Sequence, residues 1–353
     1  MTMNAPTLES ATALDPDFYT RQDVFDFEMR HVIGPHWQVI APASAVSAPG
    51  DVIAREIAGV PVIVVRASSG HLNGFYNICP HRAGPVATCD QKGLKRLRCG
   101  YHGWSYDFDG KLRMAPEMQD AEDFNRDNVR LTPIDVREWN GMVMARMGDG
   151  PDFETLYGGI EEIAGTNAFD GLVHHTSIRY AVAANWKIYV DNFLEGYHLP
   201  FVHPGLTQLV DYSDYKTELG PWWSLQRSPV EESGPYGAGE GLYFFVYPNT
   251  MLNIMPGRLQ TNRVVPTGLT TCEVEFDFYY APGAEFRADE DLKFSDTVQE
   301  EDRFICEHVQ KGLTSGVYQP GRLSPSREAG VWHYQNLLRR AYADAGIEGP
   351  GLG

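Results

Sequence analysis

The chain of 353 residues has a mass of 39.5 kDa, which is enough to bury a large core and to form two domains. Its composition is that of an ordinary globular protein, and no apolar run approaches the roughly 20 residues of a membrane-spanning helix. The formal net charge of −18 argues against nucleic acid as a partner, because phosphate binding needs a basic surface. The N-terminus has no basic segment followed by an apolar core, so we expect no signal peptide and a cytoplasmic location.

Residues 15–40 predict a helix that leads into a turn. Asp15 is a typical N-cap, Pro16 suits the first helical position, and Gly34-Pro35 favours a turn. The pattern then changes to short β-rich runs separated by turn sequences, at 50–78, 99–113 and 141–147. We therefore expect a small β-domain in this part of the chain.

The stretch 148–175 is turn-rich with a short helical segment, so we place a domain boundary near residue 150. Beyond it the sequence predicts a helix at about 185–199, β-rich runs at 241–256 and 269–281, and a long amphipathic helix at 288–313. A helix, several strands and a further helix in this order fit an α+β fold with an antiparallel sheet.

Five cysteines in so long a chain do not indicate a disulfide framework, yet three of them lie within 21 residues. Cys79 and His81 form one Cys-x-His pair, and Cys99 and His102 form a Cys-x-x-His pair. Two thiolates and two imidazoles on paired loops can hold either a structural zinc ion or a Rieske [2Fe–2S] cluster. Cys89 matches no ligand position and is interpreted as a small buried hydrophobic residue.

A second group of candidate ligands lies at 185–204. On the predicted helix, Asp191, Glu195 and His198 share one face, and Pro200 is expected to end the helix so that His203 can approach His198. Two imidazoles and one carboxylate form the facial triad of Fe(II) oxygenases. The alternative is a solvated helix face with two surface histidines.

The third ligand is predicted in the long helix at 288–313. An apolar stripe runs along this helix, and Asp302 falls on the stripe whereas Glu300, Glu301 and Glu307 do not. A buried carboxylate is costly unless it is compensated, and a metal ion would compensate it. Asp302 is therefore the predicted carboxylate ligand.

The strings CPHR (79–82) and CGYHGWSYDFDG (99–110) resemble the Rieske signature of ring-hydroxylating-type oxygenases, with Ala83 where many members carry glycine. NWKIYVDNFLEGYHLPFVHP (185–204) and EDRFICEHVQKGL (301–313) resemble the two metal-ligand segments of the same family. Together with FFVYPNTMLNIMPG (244–257), they are most similar to the choline-monooxygenase-like group, whose members act on quaternary ammonium compounds.

The resemblance implies a terminal oxygenase with a [2Fe–2S] cluster and mononuclear Fe(II), organised as a trimer. It implies an N-terminal helix (1–40) that packs on the catalytic domain, a Rieske domain (41–150), and a helix-grip catalytic domain (151–353). Glu195 matches the family's bridging carboxylate between the two metal sites, and Asp191 and Asn192 accompany it as predicted catalytic residues.

The chain has no nucleotide-binding fingerprint and no ferredoxin-type cysteines, so NAD(P)H must be used by a separate reductase, with or without a ferredoxin. A basic run could form the docking surface for this acidic donor, although a solvated loop would show the same pattern. The run comprises Arg82, Lys92, Lys95, Arg96, Arg98, Lys111 and Arg113.

The favoured substrate is an N-methyl or quaternary ammonium compound, because hydroxylation of an N-methyl group releases formaldehyde and an amine. Aromatic side chains would hold such a cation by cation–π contacts. The candidates are Trp222, Trp223, Tyr236, Tyr243, Phe245 and Tyr247. Two alternatives stay open on the sequence: hydroxylation of an aromatic or alicyclic ring, and a non-catalytic, metal-stabilised ligand-binding module.

Overall fold

A computed structural model describes residues 6–165, 168–206, 214–230 and 239–349. The chain divides into two compact units, one formed by residues 34–150 and the other by residues 1–33 together with 151–353. The first of these units therefore begins at Gly34, earlier than the predicted boundary after residue 40. The reason is that the strand at Gln38–Pro42 pairs inside this unit.

The N-terminal segment forms two short helices, α1 (Asp17–Thr20) and α2 (Gln22–Glu28), followed by a π-helical turn at Met29–Ile33. The side chain of Asp15 accepts a hydrogen bond from the amide of Asp17 at 3.0 Å, as expected of a residue that precedes a helix. These helices belong to the same unit as the C-terminal half of the chain.

The unit at residues 34–150 is built from two antiparallel sheets. Its six-stranded sheet has the order β1-β9-β8-β4-β3-β2, and its small sheet has the order β5-β6-β7. The strands are β1 (Gln38–Pro42), β2 (Val52–Ile57), β3 (Val60–Arg66), β4 (Leu72–Tyr76), β5 (Leu97–Arg98), β6 (Ser105–Tyr106), β7 (Leu112–Met114), β8 (Pro133–Trp139) and β9 (Met142–Arg146).

The other unit contains a seven-stranded antiparallel sheet with the order β10-β16-β15-β14-β13-β12-β11. Its strands are β10 (Val173–Val182), β11 (Lys216–Leu219), β12 (Trp223–Val230), β13 (Gly239–Val246), β14 (Thr250–Met255), β15 (Arg258–Gly268) and β16 (Thr271–Tyr280). The predicted β-rich runs account for β13, β14 and β16, whereas β10, β11, β12 and β15 were not predicted.

Within the described residues, six α-helices follow the first unit, and several of them pack on the sheet. They are α3 (Phe153–Tyr157), α4 (Ile160–Ala164), α5 (Trp186–Phe193), α6 (Leu199–Val202), α7 (Ala288–Leu313) and α8 (Ala329–Asp344). Helix α5 packs against α7 and β15, and α8 packs against β11 and β12. Within the described part of the chain, no helix is long and apolar enough to cross a membrane.

The predicted bounds of α7 agree with the structure, and three acidic residues in its first turn complement the helix dipole. The predicted helix at 185–199 is wrong in its second half. Helix α5 begins at its N-cap Asn185, whose side chain accepts from the amide of Lys187 at 3.0 Å, and it ends at Phe193. Glu195 and His198 therefore lie in a turn, not on a shared helix face.

Candidate functional site

The first candidate site lies on two loops that follow β4 and β5. Cys79 and Cys99 are both buried, at 1% and 2% exposure. The amide of Cys79 donates to the carbonyl oxygen of Gly84, and the amide of Cys99 donates to that of Trp104, each at 2.9 Å. Each loop is thus a tight turn that fixes one thiol and one imidazole side by side.

The two histidines of these loops meet. The rings of His81 and His102 lie 4.5 Å apart between centroids, and His81 stacks on Trp104. The Nδ1 atom of His81 is buried and has no hydrogen-bond partner among the described residues, which is unusual for a polar atom unless it binds a metal. Desolvation lowers the pKa of the exposed His102, and the nearby His81 and Arg82 lower it further. The imidazole is therefore readily neutral, which binding to a metal ion requires.

The backbone at Gly84 packs closely against one of the thiols, so a side chain at this position would crowd the sulfur atom. A Cβ atom on Gly84 would lie 3.0 Å from Sγ of Cys99. Ala83 has a φ of +55°, a left-handed conformation that glycine adopts more easily. Burial raises the pKa of the Cys79 thiol, so a thiolate here needs a compensating cation such as iron. Cys89 is exposed, which corrects its interpretation as a buried residue.

The basic run around this site divides into paired and projecting side chains. Lys92, Lys111 and Arg113 form ion pairs with acidic neighbours. Among the described residues, the basic side chains that project into solvent outside these ion pairs are Arg82, Lys95, Arg96 and Arg98. This surface around the Cys and His loops is called the basic rim below.

The second candidate site is built around the turn between α5 and α6. The carboxylate of Glu195 accepts hydrogen bonds from the amides of Tyr197 and His198, which replaces the helical pattern and ends the helix. A Cβ atom on Gly196 would lie 2.8 Å from the ring of Tyr215, so this turn requires glycine. Pro200 does not end a helix as predicted, since it lies in the first turn of α6, where its missing N–H costs nothing.

Three side chains converge at this turn: His198, His203 and Asp302. Helix α6 places the two histidines at its opposite ends, and Asp302 comes from the middle of α7. Nε2 of His203 lies 2.9 Å and Nε2 of His198 lies 3.7 Å from Oδ1 of Asp302. One ligand atom from each residue lies within 4.8 Å of the others, so a single metal ion can be bound by all three. This group is called the triad below.

Further polar groups hold the triad from outside. Nδ1 of His198 lies 2.6 Å from Glu195, and Nδ1 of His203 lies 2.7 Å from Glu301. Such carboxylates fix the ring orientation and leave Nε2 of both rings for a metal. Burial alone would lower the pKa of His203, but Asp302 and Glu301 outweigh it and raise that pKa.

Asn192 and Asp191 have different surroundings although both were predicted as catalytic. Asn192 donates to Oδ1 of Asp302 at 2.7 Å and therefore touches the triad. Asp191 instead accepts from the hydroxyl of Tyr19 at 2.5 Å and from Nε2 of Gln335 at 3.1 Å. Burial raises the pKa of Asp191 to about 6. Its described contacts anchor α5 to the N-terminal segment and α8, and a catalytic role of Asp191 stays a prediction.

A cavity of about 150 Å³ opens on the triad and is called the site cavity. Its aromatic wall consists of Tyr189, Phe193, Tyr215, Tyr243, Phe276 and Phe294. A second, larger cavity of about 490 Å³ reaches Asn192, Glu195 and His198 from another side. Glu195 thus lies between the two cavities.

The family models match both units of the chain. The Rieske [2Fe–2S] domain matches residues 36–130, and the ring hydroxylating alpha subunit (catalytic domain) matches residues 169–344. A chloroplastic choline monooxygenase from Arabidopsis thaliana is 32% identical over 94% of this chain and 83% of its own length. The chain belongs to the Rieske oxygenase family.

Two further relatives extend this match. A carnitine monooxygenase oxygenase subunit from Escherichia coli K12 is 29% identical, over 95% of both chains. A solved structure of a quaternary ammonium Rieske monooxygenase, described in terms of carnitine oxidation and inter-subunit electron transfer, has a TM-score of 0.88 at 26% identity and covers 95% of this chain and 96% of that one. The predicted family, the α+β fold and the oxidoreductase class are confirmed.

As a Rieske oxygenase, the chain uses a [2Fe–2S] cluster and a mononuclear iron, which confirms the predicted cofactors. Alpha subunits of this family take electrons from a reductase partner and bind a small-molecule substrate. The residues at both sites fit these groups, because the first site has two buried thiols with an unpartnered imidazole nitrogen and the second has a convergent triad.

Among the predicted substrate residues of this Rieske oxygenase, Tyr243 lines the site cavity. Trp223 lies on the opposite face of the sheet, packed on Phe244, and Phe245 and Tyr247 are buried against Tyr334. Those three predictions are therefore wrong for this cavity. Trp222 packs on Tyr247 and is not among the lining residues, and Tyr236 lies outside the described residues.

A polar wall of the site cavity was missed on the sequence. It consists of Gln226, Asn253, Arg258, Gln260 and Asn262. These residues come from β12, β14 and β15 and share the face of the sheet that carries Tyr243, as the register pairs Tyr243 with Gln226 and Asn253. The signal that could have found them is the alternation of polar residues at 258, 260 and 262.

Proposed function

We propose that this chain is the terminal oxygenase component that hydroxylates a quaternary ammonium or N-methyl compound. The observation that carries the proposal is a metal-ligand triad opening directly into a small cavity lined by six aromatic rings. Aromatic faces attract a desolvated quaternary ammonium ion. The relatives named for choline and carnitine monooxygenation support the same substrate class.

The metal ligands follow from the two sites. Cys79 and Cys99 would bind one iron of the cluster, and His81 and His102 would bind the other. His198, His203 and Asp302 would bind the mononuclear iron and leave positions open. Iron at the triad would supply the activation of dioxygen.

The protein side chains orient the reaction. Glu195 and Glu301 hold the Nδ1 protons of the two histidines, and Asn192 holds one oxygen of Asp302. The aromatic wall excludes water from the substrate and places its methyl groups beside the triad. Monooxygenation consumes one dioxygen, two electrons and two protons, and gives the hydroxylated substrate and water. A hydroxylated N-methyl group then leaves as formaldehyde.

Electron transfer between subunits is part of the proposal. Glu195 would connect a ligand of the triad to a Rieske histidine of a neighbouring subunit in a homotrimer. Its position between the site cavity and the second cavity supports this role. Exposed apolar side chains in the same unit would favour an interface, namely Tyr197, Phe201, Phe304, Val309, Val317 and Tyr318.

Glu301 provides a matched control for the bridging role, since it holds His203 as Glu195 holds His198. We expect Glu195→Gln to stop turnover while both metal sites stay loaded, and Glu301→Gln, with both sites also loaded, to transfer electrons at the wild-type rate. Freeze-quench EPR would follow reoxidation of the reduced cluster. Equal reoxidation rates in wild type and Glu195→Gln would contradict the bridging role.

The electron donor is proposed to be a flavin and iron–sulfur reductase or a ferredoxin that docks on the basic rim. The projecting side chains Arg82, Lys95, Arg96 and Arg98 carry positive charge on a chain with a net charge of −18. An acidic protein would be attracted to this local surface.

The experiment that tests the function is a substrate panel with a surrogate reductase. We expect about three irons per chain, oxygen-coupled NAD(P)H consumption, and formaldehyde release from N-methylated quaternary ammonium compounds. His203→Ala should retain the cluster and lose the mononuclear iron and all turnover. Turnover of aromatic or alicyclic rings with no reaction of any ammonium compound would instead support the ring-hydroxylating alternative.

A further inference from the structure

The site cavity contains one cation that a substrate carboxylate could use, and the protein already neutralises it. Among the described lining residues, Arg258 is the only lysine or arginine, and it is 4% exposed. Its Nε donates to the carboxylate of Asp291, which is 1% exposed, and its Nη2 donates to Gln260 at 2.5 Å. Residues outside the described ranges include no lysine or arginine.

The Arg258–Asp291 pair is held from several sides. The hydroxyl of Tyr280 donates to the same oxygen of Asp291 at 2.6 Å, and the guanidinium of Arg258 lies 5.7 Å from the ring centroid of Phe278. Turning Arg258 toward a substrate carboxylate would leave Asp291 as a buried charge without a cation. Removing one partner of a buried pair is strongly unfavourable.

Two neutral amide side chains in the site cavity, unlike Arg258, still have atoms that can accept or donate a hydrogen bond. Oδ1 of Asn253 and Nε2 of Gln299 are buried and have no hydrogen-bond partner among the described residues. Both residues line the cavity, and Oε1 of Gln299 is already used by the hydroxyl of Tyr189 at 2.5 Å. A buried acceptor and a buried donor are each satisfied by a hydroxyl group, which both donates and accepts.

We propose that the site cavity selects quaternary ammonium substrates whose other end is a neutral alcohol and rejects those that carry a carboxylate. The inference rests on the proposed function and sharpens its substrate class. The ammonium end faces the aromatic wall, and the alcohol end bonds to Oδ1 of Asn253 and Nε2 of Gln299, which have no partner among the described residues. A carboxylate would meet the amide oxygen of Asn253 and a guanidinium already paired with Asp291.

Matched pairs of compounds test this selectivity with the wild-type oxygenase and a surrogate reductase. Choline is compared with glycine betaine, and γ-butyrobetaine with the alcohol of the same chain length. We expect kcat/KM to be at least about tenfold higher for each alcohol, which corresponds to about 1.4 kcal/mol. Equal or higher kcat/KM for the carboxylates overturns the inference and leaves the proposed function intact. Turnover of ring compounds alone would overturn the proposed function instead.

A variant tests the role of the ion pair separately. Asp291→Asn removes the carboxylate that neutralises Arg258, so we expect the alcohol-to-carboxylate ratio of kcat/KM to fall at least about tenfold. Tyr280→Phe is the matched control, because it removes a hydrogen bond to Asp291 but keeps the charge pair, and its ratio should equal that of wild type. An unchanged ratio in folded Asp291→Asn would refute the role of the pair. If that variant does not fold, the wild-type ratio alone decides the inference.

Discussion

A fully buried ion pair anchors α5, the helix that leads into the triad. Nζ of Lys187 lies 2.7 Å from Oε1 of Glu28, and neither side chain is exposed. Glu28 also accepts hydrogen bonds from Nε1 of Trp186 at 2.9 Å and from the hydroxyl of Tyr342. Glu28→Gln leaves the ammonium group of Lys187 buried without its paired carboxylate. We expect a loss of about 3–5 kcal/mol in the free energy of unfolding near neutral pH.

This loss should depend on pH in a defined direction. Burial lowers the pKa of Lys187, and the charge of Glu28 partly opposes that effect. In Glu28→Gln the opposing charge is gone, so the pKa in the folded state lies further below that in the unfolded chain. Between these two pKa values the unfolded chain binds more protons, and stability therefore rises with pH by at most about 1.4 kcal/mol per pH unit. The deficit should shrink between about pH 7 and about pH 9.

Urea unfolding followed by circular dichroism and tryptophan fluorescence measures this deficit. The double variant Glu28→Gln/Lys187→Met is the control, because removing both charges of a buried pair is often close to neutral. We expect the double variant to unfold within about 1.5 kcal/mol of wild type at both pH values. A deficit below about 1 kcal/mol in Glu28→Gln, or one that does not change with pH, would refute the reasoning.

Two further predictions concern the Rieske unit. Gly84→Ala should lower the cluster content, because the added Cβ would lie 3.0 Å from Sγ of Cys99. Visible absorbance and EPR measure this content. Gly100→Ala is the control and should keep the cluster, because a Cβ at this position would meet no described atom within 4 Å. Charge reversal in Lys95→Glu/Arg96→Glu should raise the KM for the reductase and reduce its salt dependence, while turnover driven by a chemical reductant stays at the wild-type level. A reductase KM that does not change would remove the basic rim from the docking surface.

The two Cys–His motifs were predictable from the sequence because the ligands in each motif are separated by only one or two residues. Cys79–His81 and Cys99–His102 each occupy one turn, so residue order alone brings each thiol beside its imidazole. The bounds of α7 were predictable as well, since apolar residues repeat at helical spacing from Phe294 to Leu313, with Asp302 as the polar position among them. Asp302 on that stripe lies at the triad.

The shape of the turn at 194–198 was not predictable from periodicity. The residues keep helical spacing in the sequence, but the carboxylate of Glu195 competes for the amides of Tyr197 and His198. The same carboxylate holds Nδ1 of His198. A side chain that ends the helix therefore also orients a ligand, and both contacts depend on tertiary packing around Gly196.

The walls of the site cavity could not be assigned because a strand pattern does not reveal which face a strand buries. Trp223 and Tyr243 are both aromatic, yet the register places them on opposite faces of the sheet. Strand β15 was missed since Arg258, Gln260 and Asn262 are polar residues that point into the protein. Both faces of β15 are buried from Arg258 to Val264, and the face toward the cavity is polar, so the strand shows no alternation between apolar buried and polar exposed residues.

The charges of the catalytic unit favour the proposed combination of a metal ion and a cationic substrate at one place. Elsewhere in its interior, Glu28 is neutralised by Lys187, and Asp291 by Arg258. At the triad, Asp302, Glu195 and Glu301 surround two imidazoles, and within the described ranges none of these carboxylates pairs with a lysine or arginine. A divalent ion would neutralise two of these three charges. The remaining negative charge lies beside the aromatic wall of the site cavity, where it favours a quaternary ammonium ion over a neutral ring of similar size.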